Sequence, residues 1–208
     1  MNPRVQPARF RGARLFGLLF TLLLLAVAAI GHLKASQIRS LNLAEMTERA
    51  ERIFSGRCVD VRVELDPQLG VNVTHVTFAA EHGAKGDVRG SVTIKMLGDP
   101  DGVAGLPVFH EGEEVVLFLY GESASGLTSP VGFGQGKFAV RQDKQGQRVA
   151  VNAFANENLF RGLSTEARQR VGTAAERWRG RGAMPLDELL DAVSMLTERE
   201  PQRRSRRP

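Results

Sequence analysis

Apolar residues follow three rhythms along this chain, and each predicts a different element. From Leu15 to Gly31 the sequence LFGLLFTLLLLAVAAIG is apolar throughout, 17 residues without a charge. A surface helix would show polar residues at helical spacing, so this run predicts an export segment. Its length lies between the roughly 7–15 apolar residues of a cleaved signal and the roughly 20 of a full span. Small residues at Ala26-Val27-Ala28 suit a signal peptidase, with a second site at Leu33-Lys34-Ala35. The segment is therefore either a cleaved signal or a retained anchor over residues 15–33. The arginines upstream of it hold the first residues in the cytoplasm and send the rest across the membrane.

The second rhythm is helical. Leu43, Met46, Ala50 and Ile53 recur every three or four positions, while Glu48, Arg49, Glu51 and Arg52 take the opposite face. Asn42 stands at the N-cap with Glu45 three residues on, and Leu41 and Met46 are spaced as a hydrophobic staple.

The third rhythm is two. Val59, Val61, Val63 and Leu65 alternate with Asp60, Arg62 and Glu64, which predicts a half-buried strand. Upstream, Phe54, Gly56 and Cys58 carry the apolar phase on even positions, and a slip of this kind predicts a bulge. The next strand slips too: Val71 and Val73 are odd, then Val76, Phe78 and Ala80 are even. Two long strands that change face midway predict a small, strongly bent barrel. Val92, Ile94 and Met96 make a third strand, and Val115 to Tyr120, VVLFLY, a fourth. Six consecutive apolar or aromatic residues predict burial on both faces, by barrel interior on one side and a packed helix on the other. Phe138 and Val140, the turn Asp143 to Gly146, and Arg148 to Phe154 read as a hairpin. From Ser164 the composition shifts to Arg, Glu, Ala and Gly, and a final helix from about Leu186 to Leu196 carries Leu186, Leu189, Leu190 and Val193 on one face.

The predicted fold is mainly β: a small OB-like barrel, five-stranded and strongly bent, with short flanking helices and an N-terminal hydrophobic export or anchor helix. Residues 1–36 form the signal peptide or membrane anchor. Residues 37–160 form the barrel domain with its N-terminal helix, 161–184 an Arg/Gly-rich connector, 185–200 the C-terminal helix and 201–208 a basic tail.

Charge sharpens the picture. The net charge is +5. Arg4, Arg9, Arg11 and Arg14 precede any acidic residue, and Arg203, Arg204, Arg206 and Arg207 close the sequence, so without these eight the remainder carries −3. The basic character belongs to the ends, and nucleic acid is not an expected partner. The arginines from Arg161 to Arg181 and at the C-terminal end suit anionic envelope surfaces. One cysteine, Cys58, excludes an intramolecular disulfide and a cysteine-cluster zinc site, and is expected in the core on a strand.

Candidate chemistry is sparse. His32, His75, His82 and His110 form no H-E-x-x-H and no helical metal pair. A site from His82, His110 and Glu111 or Glu113 is the metal alternative, outweighed by solvated turns. The serines between Gly121 and Ser129 lack a nucleophile elbow. Gly132-Phe133-Gly134-Gln135-Gly136-Lys137 has the wrong spacing for a phosphate loop and leads into a strand, so its glycines read as allowing curvature or close approach. No cofactor, bound metal or catalytic residue is expected. Phe133, flanked by glycines at the rim, either packs under the loop or stands out for recognition. The candidate binding residues are Phe133, Gln135, Lys137 and His110.

The run Ala50-Glu51-Arg52-Ile53-Phe54-Ser55-Gly56-Arg57, then Val76-Thr77-Phe78, Lys85-Gly86, Phe109 to Leu119 and Gly134-Gln135-Gly136-Lys137-Phe138 resembles a group of exported bacterial proteins of unknown function. Their pattern is similar to the netrin-like, or tissue-inhibitor-of-metalloproteinase-like, OB-fold barrels, over roughly residues 41–160. The resemblance implies fold through turn glycines and apolar strands. In the inhibitor branch an N-terminal cysteine chelates the protease zinc. Here Cys58 lies inside a strand, neither cleavage site exposes a cysteine, and the disulfides are missing, so that mechanism does not carry over.

The expected function is a non-enzymatic binding module on the periplasmic or extracellular side of the envelope, with a protein partner, by analogy a secreted protease. An envelope hydrolase or metal-dependent enzyme, and a purely structural envelope protein, are the alternatives.

Overall fold

The computed structural model describes residues 39–99, 106–178 and 182–198. The expected export segment, part of the connector and the basic tail lie outside the described residues. Apart from Arg39, the described residues belong to one unit that begins at Ser40. Among them no helix is long and apolar enough to cross a membrane.

The first helix, α1 (Leu43–Arg49), starts where the capping pattern places it. The Asn42 side chain accepts from Glu45 N–H at 2.9 Å, and the Glu45 carboxylate accepts from Asn42 N–H at 3.1 Å. Two of the otherwise unpaired donors of the first turn are thus satisfied, an arrangement worth about 1 kcal/mol. Leu43 and Met46 are fully buried on its inner face.

Seven strands form one antiparallel sheet: β1 (Arg52–Asp66), β2 (Val71–Lys85), β3 (Ser91–Leu97), β4 (Glu114–Leu119), β5 (Lys137–Gln142), β6 (Arg148–Asn152) and β7 (Met184–Pro185). Their order is β3-β2-β1-β4-β5-β6-β7. The β1–β2 turn is fixed by Asp66, whose Oδ1 accepts from the Gln68 and Leu69 N–H groups at 2.8 and 2.9 Å. The bulge expected near Val59 is present: the register steps from Cys58–Phe78 to Asp60–Thr77 and leaves Val59 over. The second expected slip is absent from its predicted place. Pairing through Val73 to Val76 is regular, and the change of phase there comes from adjacent burial of Val73 and Thr74. Instead, β2 carries its extra residues where the register steps at Ser55/Gly56 and Ile53/Phe54.

Strand β4 divides two cores, because successive side chains of a strand point to opposite faces. Val115, Leu117 and Leu119 join Phe54, Phe78, Ile94, Met96 and Phe109 on one face. Val116 and Phe118 join Leu43, Met46, Ile53, Phe138 and the C-terminal helix on the other. Val115 to Leu119 are buried, as the continuous apolar run predicts, whereas Tyr120, the last residue of that run, lies past the strand and is exposed.

Two helices, α2 (Thr165–Arg170) and α3 (Gly172–Arg177), occupy the stretch expected to be a connector. Ser164 caps the first, accepting from Ala167 N–H at 3.1 Å. Ala167, Val171 and Ala175 enter the second core, as do Leu186, Leu189, Ala192 and Val193 of α4 (Leu186–Thr197).

Between β4 and β5 the chain runs from the sheet's β3 edge back to β4. Thr128 N–H donates to the Lys95 carbonyl at 2.8 Å, Tyr120 N–H to the Ser129 carbonyl at 3.1 Å, and Val131 N–H to the Phe118 carbonyl at 2.7 Å. Residues Leu127 to Val131 therefore bridge β3, in parallel sense, and β4, in antiparallel sense.

Candidate functional site

The feature that projects from this scaffold is an interruption of one strand. Phe118 alone bonds both ends of the interruption: its carbonyl accepts from Val131 N–H at 2.7 Å and its N–H donates to the Gly136 carbonyl at 2.9 Å. Residues 132–135 are thus extruded from the line of β5 and wound into a 3₁₀ turn, Phe133–Gln135. Gly136 permits the pinch at its base, since a Cβ there would lie 2.5 Å from the Val131 carbonyl oxygen. Gly134 lies against the next segment, where a Cβ would meet the Ala153 Cβ at 2.8 Å and the Phe154 ring at 3.9 Å.

Phe133 stands at the tip, 43% exposed, and Phe154 is 42% exposed beside Gly134. Large aromatic side chains left half exposed on a small protein mark recognition surfaces when their backbone is held in place. Here it is held under strain. Among the described residues the non-glycine positions of positive φ are Phe133 (55°), Ala155 (51°), Asn156 (58°) and Asn158 (67°), all in this turn or the facing one. Asparagine tolerates that region, but Phe133 and Ala155 each cost about 1–2 kcal/mol there. Such outliers persist only where surrounding contacts over-determine them, and they gather at functional sites.

The over-determination comes from three buried amides. Gln135, 3% exposed, accepts from Leu41 N–H at 2.7 Å through Oε1, while its own carbonyl accepts from Asn152 Nδ2 at 3.1 Å. Asn152 and Asn156 bond reciprocally, each side-chain oxygen accepting the other's backbone N–H at 2.9 Å. Asn152 Oδ1 also accepts from Phe154 N–H at 3.0 Å, which fixes the second aromatic directly. Asn156 Nδ2 donates to the Ala150 and Gly182 carbonyls, both at 2.9 Å. Buried polar networks with their groups satisfied specify one conformation, because every alternative leaves a polar group unpaired in low dielectric.

The four residues expected to bind are thus placed differently. Phe133 is exposed at the tip. Gln135 is buried and holds the turn to the N-terminal segment. Lys137 is fixed in place: its ammonium donates to the Val108 carbonyl, pairs with Glu113 at 2.8 Å and sits 4.5 Å from the centroid of the Phe109 ring. His110 is exposed in the turn before β4, where its N–H reaches Glu113 Oε2 at 3.4 Å. Phe154, Asn152 and Asn156 escaped the sequence reading. The spacing of Asn152, Asn156 and Asn158 in a stretch with few glycines was the available signal, since asparagine tolerates left-handed turns.

Other reactive groups serve the fold. Cys58 is buried on β1, and desolvation pushes its thiol pKa up, which keeps it protonated and unreactive. The bond from Lys95, with those from the Leu69 and Gln68 N–H groups, holds the Asp66 carboxyl below the usual range. An open depression of about 950 Å³ is bordered by Glu51, Arg52, Lys85 and Glu122. Three of its charges are engaged internally: Arg52 pairs with Glu122 at 2.7 Å and Lys85 donates to the Thr47 carbonyl at 2.8 Å. Among the described residues no group of three or more His, Cys, Asp or Glu is arranged to hold a metal ion.

No protein-family model matches this chain, and no curated protein matches it.

Proposed function

We propose that this chain is an exported, non-enzymatic interaction module of the cell envelope, in which an OB-like barrel presents Phe133 and Phe154 to a protein partner. The observation that carries the reading is the pair of half-exposed aromatics mounted on a strained turn that buried amides hold rigid. Backbone strain is a cost to the fold that a solvent-facing loop does not require, whereas a preorganised surface lowers the ordering cost of association.

The barrel reading is supported by the strand order β3-β2-β1-β4-β5 and by the bonds through which Leu127 to Val131 link β3 to β4. Those bonds would close five strands on themselves, with the Phe54, Phe78 and Phe109 cluster as interior. The export reading rests on the apolar run from Leu15 to Gly31. A secreted protease is the favoured partner by the resemblance to inhibitor-like barrels. Contact with an anionic envelope surface falls to the C-terminal arginines, at about 1 kcal/mol per basic residue near a charged membrane.

The test is photo-crosslinking in the native source, with benzoylphenylalanine in place of Phe133 or Phe154 and, as control, at Leu65, which is 65% exposed. The same protein should crosslink from both rim positions and not from Leu65. Crosslinks of equal yield from the control position would remove the rim from the reading. Mass spectrometry of the captured protein decides whether it is a protease.

A further inference from the structure

We propose that Asn156 is a positioning residue that couples docking of the C-terminal segment at Gly182 to the geometry of the Phe133–Phe154 rim, so that the rim is competent only while that segment is docked. The proposal rests on the rim being the binding surface. Its geometry is on one continuous path. Gly182 N–H donates to the Ala155 carbonyl at 2.7 Å, and the Gly182 carbonyl accepts from Asn156 Nδ2 at 2.9 Å, so two bonds clip this segment to the turn that follows Phe154. Immediately beyond, Met184 and Pro185 pair with β6 as its outer strand, and α4 follows.

From Asn156 the path continues inward. Its Oδ1 holds Asn152 N–H, Asn152 Oδ1 holds Phe154 N–H, and Asn152 Nδ2 holds the Gln135 carbonyl at the end of the turn that carries Phe133. Gln135 then reaches Leu41, the residue before the first helix cap. A carboxamide is required at 156 because both functions are used at once: two donated bonds on one side and one accepted bond on the other. A carboxylate would set negative oxygens against the Ala150 and Gly182 carbonyls, in a position that is only 5% exposed. The clip and the rim therefore share one side chain, and removing the whole carboxamide, donors and acceptor together, releases both.

The linkage is reciprocal by thermodynamic necessity. Docking of the C-terminal segment orders the rim, and a partner bound at the rim holds the segment down. The chain thus contains a route by which a force, a cut or a competing contact on its C-terminal part would alter binding at an aromatic surface on the other side of a buried amide pair.

The experiment is amide hydrogen exchange on the full chain carrying Asn156→Gly, which keeps the positive φ and removes the carboxamide's donors and acceptor together. The Gly182, Ala153 and Leu41 amides should exchange faster together, by about tenfold, the effect of losing one or two buried hydrogen bonds, while Val61 and His75 on the β1–β2 hairpin keep their wild-type rates. Faster exchange at Gly182 with Ala153 and Leu41 unchanged would overturn the coupling. Should Asn156→Gly fail to fold, Asn156→Ala supplies the same reading, since it too removes donors and acceptor together. Crosslinking yield from position 133 in the same variants separates the two ideas. Coupled exchange without loss of crosslinking leaves the path intact and removes the rim as the binding surface.

Discussion

Replacing Phe133 by glycine and by alanine separates what its ring contributes from what its backbone costs. Both variants lose the same ring. About half of it is buried, given 43% exposure, so each loses about 1 kcal/mol of the ~1.5–3 that a fully buried phenylalanine contributes. The two differ in the backbone alone. At φ 55° alanine keeps the left-handed penalty that phenylalanine bears, about 1–2 kcal/mol, and glycine removes it. Glycine in turn loses about 0.4–1 kcal/mol through the greater entropy of its unfolded chain. The net difference favours Phe133→Gly over Phe133→Ala by roughly 0.5–1 kcal/mol, a shift of about 1–4 °C in Tm for a domain of this size. Phe133→Gly should also lie close to wild type, since strain relief offsets the lost ring. Urea unfolding followed by the fluorescence of Trp178, the single tryptophan, reports both variants against wild type at unchanged m-value. A glycine variant no more stable than the alanine variant would refute the claim that the tip is strained. With benzoylphenylalanine at position 154, both variants should lose crosslinking to the partner equally, because recognition lies in the Phe133 ring.

Two further outcomes follow from the buried interior. Leu117→Asp should abolish cooperative unfolding, because it places a charge in a fully buried site, whereas Leu117→Ala should remain folded at a cost of about 2–5 kcal/mol; a soluble, cooperatively melting aspartate variant, seen by calorimetry, would misplace β4. Asp66 has its carboxyl held down by Lys95 and by two turn N–H groups, so its contribution is complete above the usual carboxylate value of about 4 and is lost as pH falls through the lower folded value. Asp66→Asn should therefore flatten the acid limb of the stability-versus-pH curve, and an unchanged limb in acid titration would detach that carboxylate from the turn.

Much of the architecture is local in origin and was legible for that reason. The capping box of Asn42 and Glu45, the alternation of β3, the bulge at Val59 and the two-sided burial of Val115 to Leu119 all depend on residues within a few positions of one another. What failed to show depends on distant partners. The connector expected around residues 161–184 holds α2 and α3, whose few apolar residues, Ala167, Val171 and Ala175, matter only because a core waits for them. The hairpin of β5 and β6 was legible, but not β7, two residues long, which pairs with β6 across a separation of more than 30 residues. Gln135 and Lys137 looked like surface recognition groups in a glycine-rich loop, yet Leu41, Asn152, Val108 and Glu113 occupy them.

By itself the sequence determined the mainly β character, the first helix, the placement of β4 between two apolar environments and the presence of a special loop around Phe133. Those follow from periodicity and from the chemistry of caps and turns, which act over single turns of chain. Only the tertiary structure decided that Phe133 points outward on a strained turn, that Phe154 joins it, and that three buried amides hold the pair. Hydrogen bonds between residues 17 to 94 positions apart leave no periodic trace in a sequence, because each is made by one side chain meeting one backbone group that the fold alone brings within reach.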